Sequence, residues 1–194
     1  MGACSPLSFY MPWPSDTCPA HVALHVIRRA AGRGECFFGE RDRTAFLRWL
    51  GRYGQRFECS VHAYVLMGNH MHLLATATRR SGIAGLLKTA CARHDRYATE
   101  RLGRACMFWE DGFEASAIHV RRHLYACMRY IELNPVRARL VRHPGAYRWS
   151  SYGANALGAD DSLVTPHPFY YALGRTAEAR RTAYLRQFVQ PVAT

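Results

Sequence analysis

Lysine is almost missing from this chain. Of its 26 basic residues a single one, Lys88, is lysine; the rest are arginine, set against 14 carboxylates for a net charge of +12. Also missing is any C-x-x-C pair among the seven cysteines Cys4, Cys18, Cys36, Cys59, Cys91, Cys106 and Cys127. An odd count without paired spacing argues against a disulfide framework and against a cysteine zinc site. It fits a reducing, cytoplasmic setting in which most cysteines serve as small hydrophobes. No apolar run approaches the ~20 residues of a membrane span. The opening MGACSPLSFYMPWPSD lacks a basic segment followed by an apolar one, so no secretory signal is expected. Pro6 stands where a myristoylation signal needs Ser or Thr.

What is present is arginine and a core. Hydrophobic residues make up 49% of the 194 positions, enough for one sizeable folded domain. Guanidinium forks grip phosphates in pairs and stack on bases, so nucleic acid is the favoured partner. An arginine-rich but merely solvated surface is the plain alternative.

Along the chain, residues 1–20 are proline-rich and aperiodic and read as an arm. HVALHVIRR (21–29) reads as a strand, AGRGE (31–35) as a turn, and RDRTAFLRWLGRYG (41–54) as a helix with Phe46, Leu47, Leu50 and Tyr53 at helical spacing. FECSVHAYVLM (57–67) and HMHLLATA (70–77) are strands joined at Gly68-Asn69, a turn of hairpin length. A long helix over 82–103, a strand over 113–120 and a helix over 121–134 follow, with Pro135 expected to end or kink the last. The order β-α-β-β-α-β, then another helix, is that of a ferredoxin-like α+β fold: a split βαβ antiparallel sheet with helices on one face. Beyond residue 142 the chain is aromatic and irregular, with two short helices at its end.

Two patterns could carry chemistry. His70 and His72 are two apart on a strand, so both imidazoles face the same way while Met71 and Leu73 face the core. Such a pair can ligate one divalent ion, or simply be hydrogen-bonded within a sheet. In HLYACMRYIELN the residues Leu124, Cys127, Met128 and Ile131 form an apolar stripe. Tyr130 and Asn134, one turn apart, share a face at its edge. A tyrosine hydroxyl there can be a nucleophile and an amide oxygen a hard metal ligand. An interface tyrosine and a helix-terminal asparagine fit the same spacing.

Together YVLMGNHMHLL, RYIELNPVRARLV and YRWSSYGANALG resemble the REP-associated tyrosine transposases, a group of the single-tyrosine HUH transposases of insertion-sequence type. The resemblance runs in order from about His21 to Gly174. It implies a bacterial mobile-element enzyme that binds single-stranded, hairpin-bearing DNA. It implies Tyr130 as the nucleophile that forms a 5′-phosphotyrosine link, and His70 and His72 as ligands of Mg2+ or Mn2+. Asn134 stands where related enzymes use Gln, keeping an amide at the third metal position. A catalytic domain over 21–142 with an extension over 143–194 packed on it, acting as monomer or homodimer, follows from the same likeness. Arg29, Arg33, Arg121, Arg122, Arg137 and Arg139 are the expected DNA contacts; Trp149 and Tyr152 could stack on bases or belong to the core.

The chain departs from the family pattern at three places. Gly68 replaces the usual proline before NHMH, which is expected to loosen the turn. Ala30-Ala31 replaces Gly-Asn, and Gly112 and Glu114 stand where basic residues are usual. Two other functions therefore stay in view: a catalytically decayed or repurposed basic DNA-binding protein on the same fold, and a metal-dependent phosphodiesterase with a structural Tyr130.

Overall fold

A computed structural model describes residues 18–103 and 108–189. Most of the expected arm, with Cys4 and Cys106, lies outside them, as does the side chain of Arg33. The strands are β1 (Ala23–Arg29), β2 (Cys59–Leu66), β3 (His70–Ala77) and β4 (Glu114–Ile118); the helices are α1 (Glu40–Arg56), α2 (Gly82–Leu102), α3 (Arg121–Arg137), α4 (Pro168–Tyr171) and α5 (Ala177–Val189). The strands form one sheet in the order β2-β3-β1-β4, and every neighbouring pair is antiparallel. This is the ferredoxin-like arrangement that the order of elements calls for.

Strand alternation divides the side chains between two cores. Leu24, Val26, Met71, Leu73 and Ala75 join Phe46, Leu50, Ile83, Leu86 and Leu87 beneath α1 and α2. Ala23, Ala63, Val65 and Leu74 join Leu124, Cys127, Met128 and Ile131 beneath α3. The expectation of helices on one face holds for α1 and α2. The helix that follows the sheet, α3, covers the opposite face, because its apolar stripe needs a partner and the first face is already occupied. All four stripe residues are fully buried, with Leu124, Met128 and Ile131 each stabilising the packing by about 1.5–3 kcal/mol.

Pro135 does not end α3 where expected; the helix runs on to Arg137. In the last turn a missing N–H costs one hydrogen bond, to the Ile131 carbonyl, instead of interrupting a continuing ladder. The end is closed by Leu140 N–H donating to the Pro135 carbonyl (2.9 Å) and Arg139 N–H to that of Val136 (2.9 Å), with Arg139 left-handed at φ 58°, a Schellman arrangement.

The segment after α3 serves as a cover. Edge strand β2 would expose its ladder groups. Instead Leu66 N–H donates to Trp149 O, Ser151 N–H to Tyr64 O and Thr165 N–H to Val61 O. Trp149 and Tyr152 are buried, so the core reading of these two aromatics is the one the fold supports. Beneath this cover, fully buried Glu132 accepts from Ser151 Oγ (2.7 Å) and Asn155 Nδ2 (2.8 Å) on one oxygen, and from Tyr184 OH (2.8 Å) on the other. Burial pushes its carboxyl up to about 7, opposed by these three donors. Replacing Glu132 by Ala leaves three buried donors without their acceptor. A loss on the order of 3 kcal/mol is expected in urea unfolding, since each stranded group costs about 1–3 kcal/mol less what the site recovers by collapse.

Candidate active site

On the α3 face, β1 and β3 lie side by side with Ile27 opposite His72 and Arg29 opposite His70. The even-numbered residues of β3 point to this face, so His70 and His72 stand in one row, their ring centres 5.1 Å apart. Above them runs α3. Tyr130 meets His72 edge-on with 5.5 Å between ring centres, and Asn134, one turn on, comes within reach of His70. Asn134 spends its Nδ2 on the Tyr130 carbonyl (3.2 Å), which leaves its Oδ1 for the imidazole side. Tyr130, His70, His72 and Asn134 are thus brought together within one chain.

A third histidine belongs to the cluster. His25 of β1 is buried, stacks on His72 with 5.2 Å between ring centres, and its Nε2 lies 3.0 Å from His72 Nδ1. It also meets Tyr130 edge-on at 5.9 Å. Nothing in HVALHVIRR distinguishes this residue from an ordinary strand histidine. The only available signal was its parity: it shares a face with Ile27 and Arg29 and points toward whatever lies opposite β1.

These contacts fix which nitrogens are available. His70 Nδ1 is engaged by Asn69 Oδ1 at 2.7 Å and His72 Nδ1 by His25 Nε2; that leaves His72 its Nε2, while the Nε2 of His70 is the ring atom within reach of Asn134. The bond between His25 and His72 carries one proton. When His72 Nδ1 is the donor, its Nε2 keeps a free lone pair. Burial lowers His25 and His70 to about 4, with Arg29 adding to the effect on His70, and holds His72 well below 6.5 through burial and then His25. All three are neutral at ordinary pH, the form in which an imidazole binds a metal. Two neutral imidazoles and an amide oxygen make a donor set that suits a divalent cation with N/O preference. Among the described residues no group of three or more His, Cys, Asp or Glu is arranged to hold a metal; here the third donor is an amide.

The arginines divide. Arg29 stands beside His70 and pairs with Glu114 at 3.4 Å. The Arg137 guanidinium lies 4.8 Å from the Tyr130 ring centre, within cation–π range. Arg121 and Arg122 are exposed at the far end of α3, nine and eight residues from Tyr130, with Arg121 over Phe169. Arg139 is exposed just past the helix end. Arg29 and Arg137 therefore border the cluster, and Arg121 and Arg122 do not.

The turn at Gly68 is not loose. Its carbonyl accepts from Cys36 N–H (2.9 Å) and Phe37 N–H (3.2 Å), and the Asn69 carbonyl accepts from Ala30 N–H (2.8 Å). Gly68 is not among the residues with positive φ. A Cβ there would meet first the Glu35 carboxylate at 3.4 Å, the end of a flexible side chain. The aim of His70 and His72 is set by these backbone bonds and not by residue 68's own stiffness. Gly68→Ala is expected to leave folding stability unchanged or raise it by up to about 1 kcal/mol, read from the urea midpoint.

Titration gives a second expectation. His25, His62, His70 and His94 are lowered from 6.5 to about 4 by burial. Between those values the unfolded chain binds more protons, so the stability they contribute at neutral pH is lost as pH falls from about 6.5 toward 4. Glu132, raised from 4.5 to about 7, acts in the opposite sense over an overlapping range, but it is one group against four. The urea midpoint is expected to fall steadily from pH 7 to pH 5.

Comparison with known proteins fits this geometry. Residues 19–134 match the family described as Transposase IS200 like. A solved structure of a REP-associated tyrosine transposase bound to a REP hairpin is similar in fold, with a TM-score of 0.55 at 14% identity over 82% of this chain and 95% of that one. Among curated proteins none matches.

Proposed function

The chain belongs to the IS200-like transposases, and from that premise we propose that it cleaves and rejoins single-stranded, hairpin-bearing DNA through a tyrosine–DNA link. The observation that carries this reading is the meeting of Tyr130, His70, His72 and Asn134 on one sheet face. The similar solved protein holds a REP hairpin, which supports a hairpin-bearing substrate for this one.

In this reading Arg29 and Arg137 hold the strand by its phosphates, with Arg33, Arg121, Arg122 and Arg139 as outlying contacts. The Tyr130 hydroxyl attacks the scissile phosphorus. A P–O bond to tyrosine forms as the bond to the 3′ oxygen breaks. The phenol proton is given up, and the leaving oxygen takes one to become a free 3′-OH. The product is a 5′-phosphotyrosine that stores the bond energy, and attack by another 3′-OH reverses the step and joins strands. His70, His72 and Asn134 would hold Mg2+ or Mn2+, which when bound neutralises charge on the phosphate oxygens. His25 keeps the His72 ring in place, and its burial keeps both rings uncharged. Because one chain supplies the whole set, a monomer suffices.

A second reading rests on Glu114. Its carboxylate occupies Arg29, in a strand where relatives are expected to be basic, which favours a protein that binds DNA without cutting it. One assay separates the two. With labelled hairpin DNA and Mg2+, the cleaving reading expects a covalent adduct on a denaturing gel. Tyr130→Phe should abolish the adduct, by more than about a thousandfold in rate, while hairpin affinity stays within twofold. Wild-type binding with no adduct would leave the second reading standing. Cleavage that survives Tyr130→Phe would refute both.

A further inference from the structure

The sheet face opposite the histidines carries a groove of about 840 Å3 beside α2. It follows the helix from Ser81 to Asp95, about 20 Å at 1.5 Å per residue. Its walls present Arg28, Arg56, Arg79, Arg80 and Lys88 against the carboxylates of Asp95 and Asp111. Arg56, Arg79, Arg80 and Lys88 are exposed. Arg79 touches Glu58 at 3.0 Å with both side chains at least half exposed, a pairing that an incoming phosphate can replace at little cost.

Two features make the groove more than a basic patch. Part of its wall is aromatic: the Phe57 ring lies against α2 at Gly85, where a Cβ would come within 2.5 Å of it. The Arg56 guanidinium stands 5.7 Å from that ring's centre. At the groove's head is the start of α2, where Ser81 gives no side-chain cap and the first turn has no acidic residue, so the helix's positive end is not neutralised from within. An aromatic wall beside basic side chains suits one unpaired strand, whose bases are free to stack, over a duplex, whose bases are not.

The groove is distinct from the Tyr130 cluster. Arg28 and Arg29 are consecutive on β1 and so point to opposite faces, one lining the groove and the other beside His70. The rim between the two faces carries Glu110, Asp111 and Glu114. An acidic rim opposes a strand crossing there.

We propose that this groove is a second nucleic-acid site, which holds a single-stranded segment of the DNA by its phosphates while a different segment lies at Tyr130. The proposal rests on the DNA-cleaving reading and deepens it. The test is fluorescence anisotropy with a hairpin carrying a long single-stranded flank, over a NaCl series, comparing wild type with the Arg79→Ala/Arg80→Ala/Lys88→Ala triple variant. Each lost contact to a single strand lowers the slope of log affinity against log salt by about 0.7. The variant should be shallower by about 2 and bind at least tenfold more weakly at 100 mM salt. Its thermal unfolding should match wild type, since all three side chains are exposed, and both proteins should bind a flankless hairpin equally. An unchanged slope and affinity in the variant would overturn the groove assignment and leave the functional reading intact. An equal loss on the flankless hairpin would overturn the single-strand occupant. Failure of the wild type to bind any DNA would instead bring down the functional reading itself.

Discussion

The structure depends on strand β3 being paired on both sides. Because β2 and β1 flank it, none of its backbone groups is left to solvent on an edge, and its side chains have only two directions to take. Met71, Leu73 and Ala75 enter the core beneath α1 and α2. His70 and His72 take the other direction, toward α3. A slip of one residue in the register would drive two imidazoles into the core beneath α1 and α2 and turn three apolar side chains toward Tyr130 in their place. The hydrophobic half of β3 thus holds the polar half in place, and the geometry of the histidines is a consequence of core packing more than of their own interactions.

The second constraint comes from α3. Its stripe of Leu124, Cys127, Met128 and Ile131 is packed on the sheet, which leaves Tyr130 and Asn134 at the margin where the helix looks along the sheet toward His72 and His70. Tyr130 and Asn134 are therefore positioned by the same four buried side chains that stabilise the helix. His25 completes the arrangement from β1. Its burial has an energetic cost for a polar ring, and the bond to His72 offsets that cost.

Much of this was legible in the sequence, and the reasons are specific. Strand alternation announced the shared direction of His70 and His72, and helical spacing announced the burial of the α3 stripe. The pairing of strand with helix came only through likeness to a family, because no local pattern says which face of a sheet a later helix will cover. His25 was missed for that reason: its partner lies 47 residues away and its neighbours in sequence are those of any strand. Pro135 reads as a helix end because proline breaks a continuing ladder, yet in a last turn only one bond is at stake. At Gly68 the flexibility of glycine points to a loose turn, while the backbone bonds from residues 36, 37 and 30 that fix it come from outside the hairpin. Glu132 gave no signal of its own, since a single acid in a helix ordinarily faces water.

The acceptor role of Glu132 sets an order of events in time. The carboxyl is made at position 132, but its donor Tyr184 comes 52 residues later. At a synthesis rate of about 5–20 residues per second, that interval is on the order of several seconds. Through it the emerging chain has its histidine strand and its tyrosine helix but no complete means of seating the buried acid. The helix that carries Tyr130 thus keeps one buried carboxylate oxygen without its donor until the chain reaches Tyr184. A chain that stops short of residue 184 carries that deficit permanently.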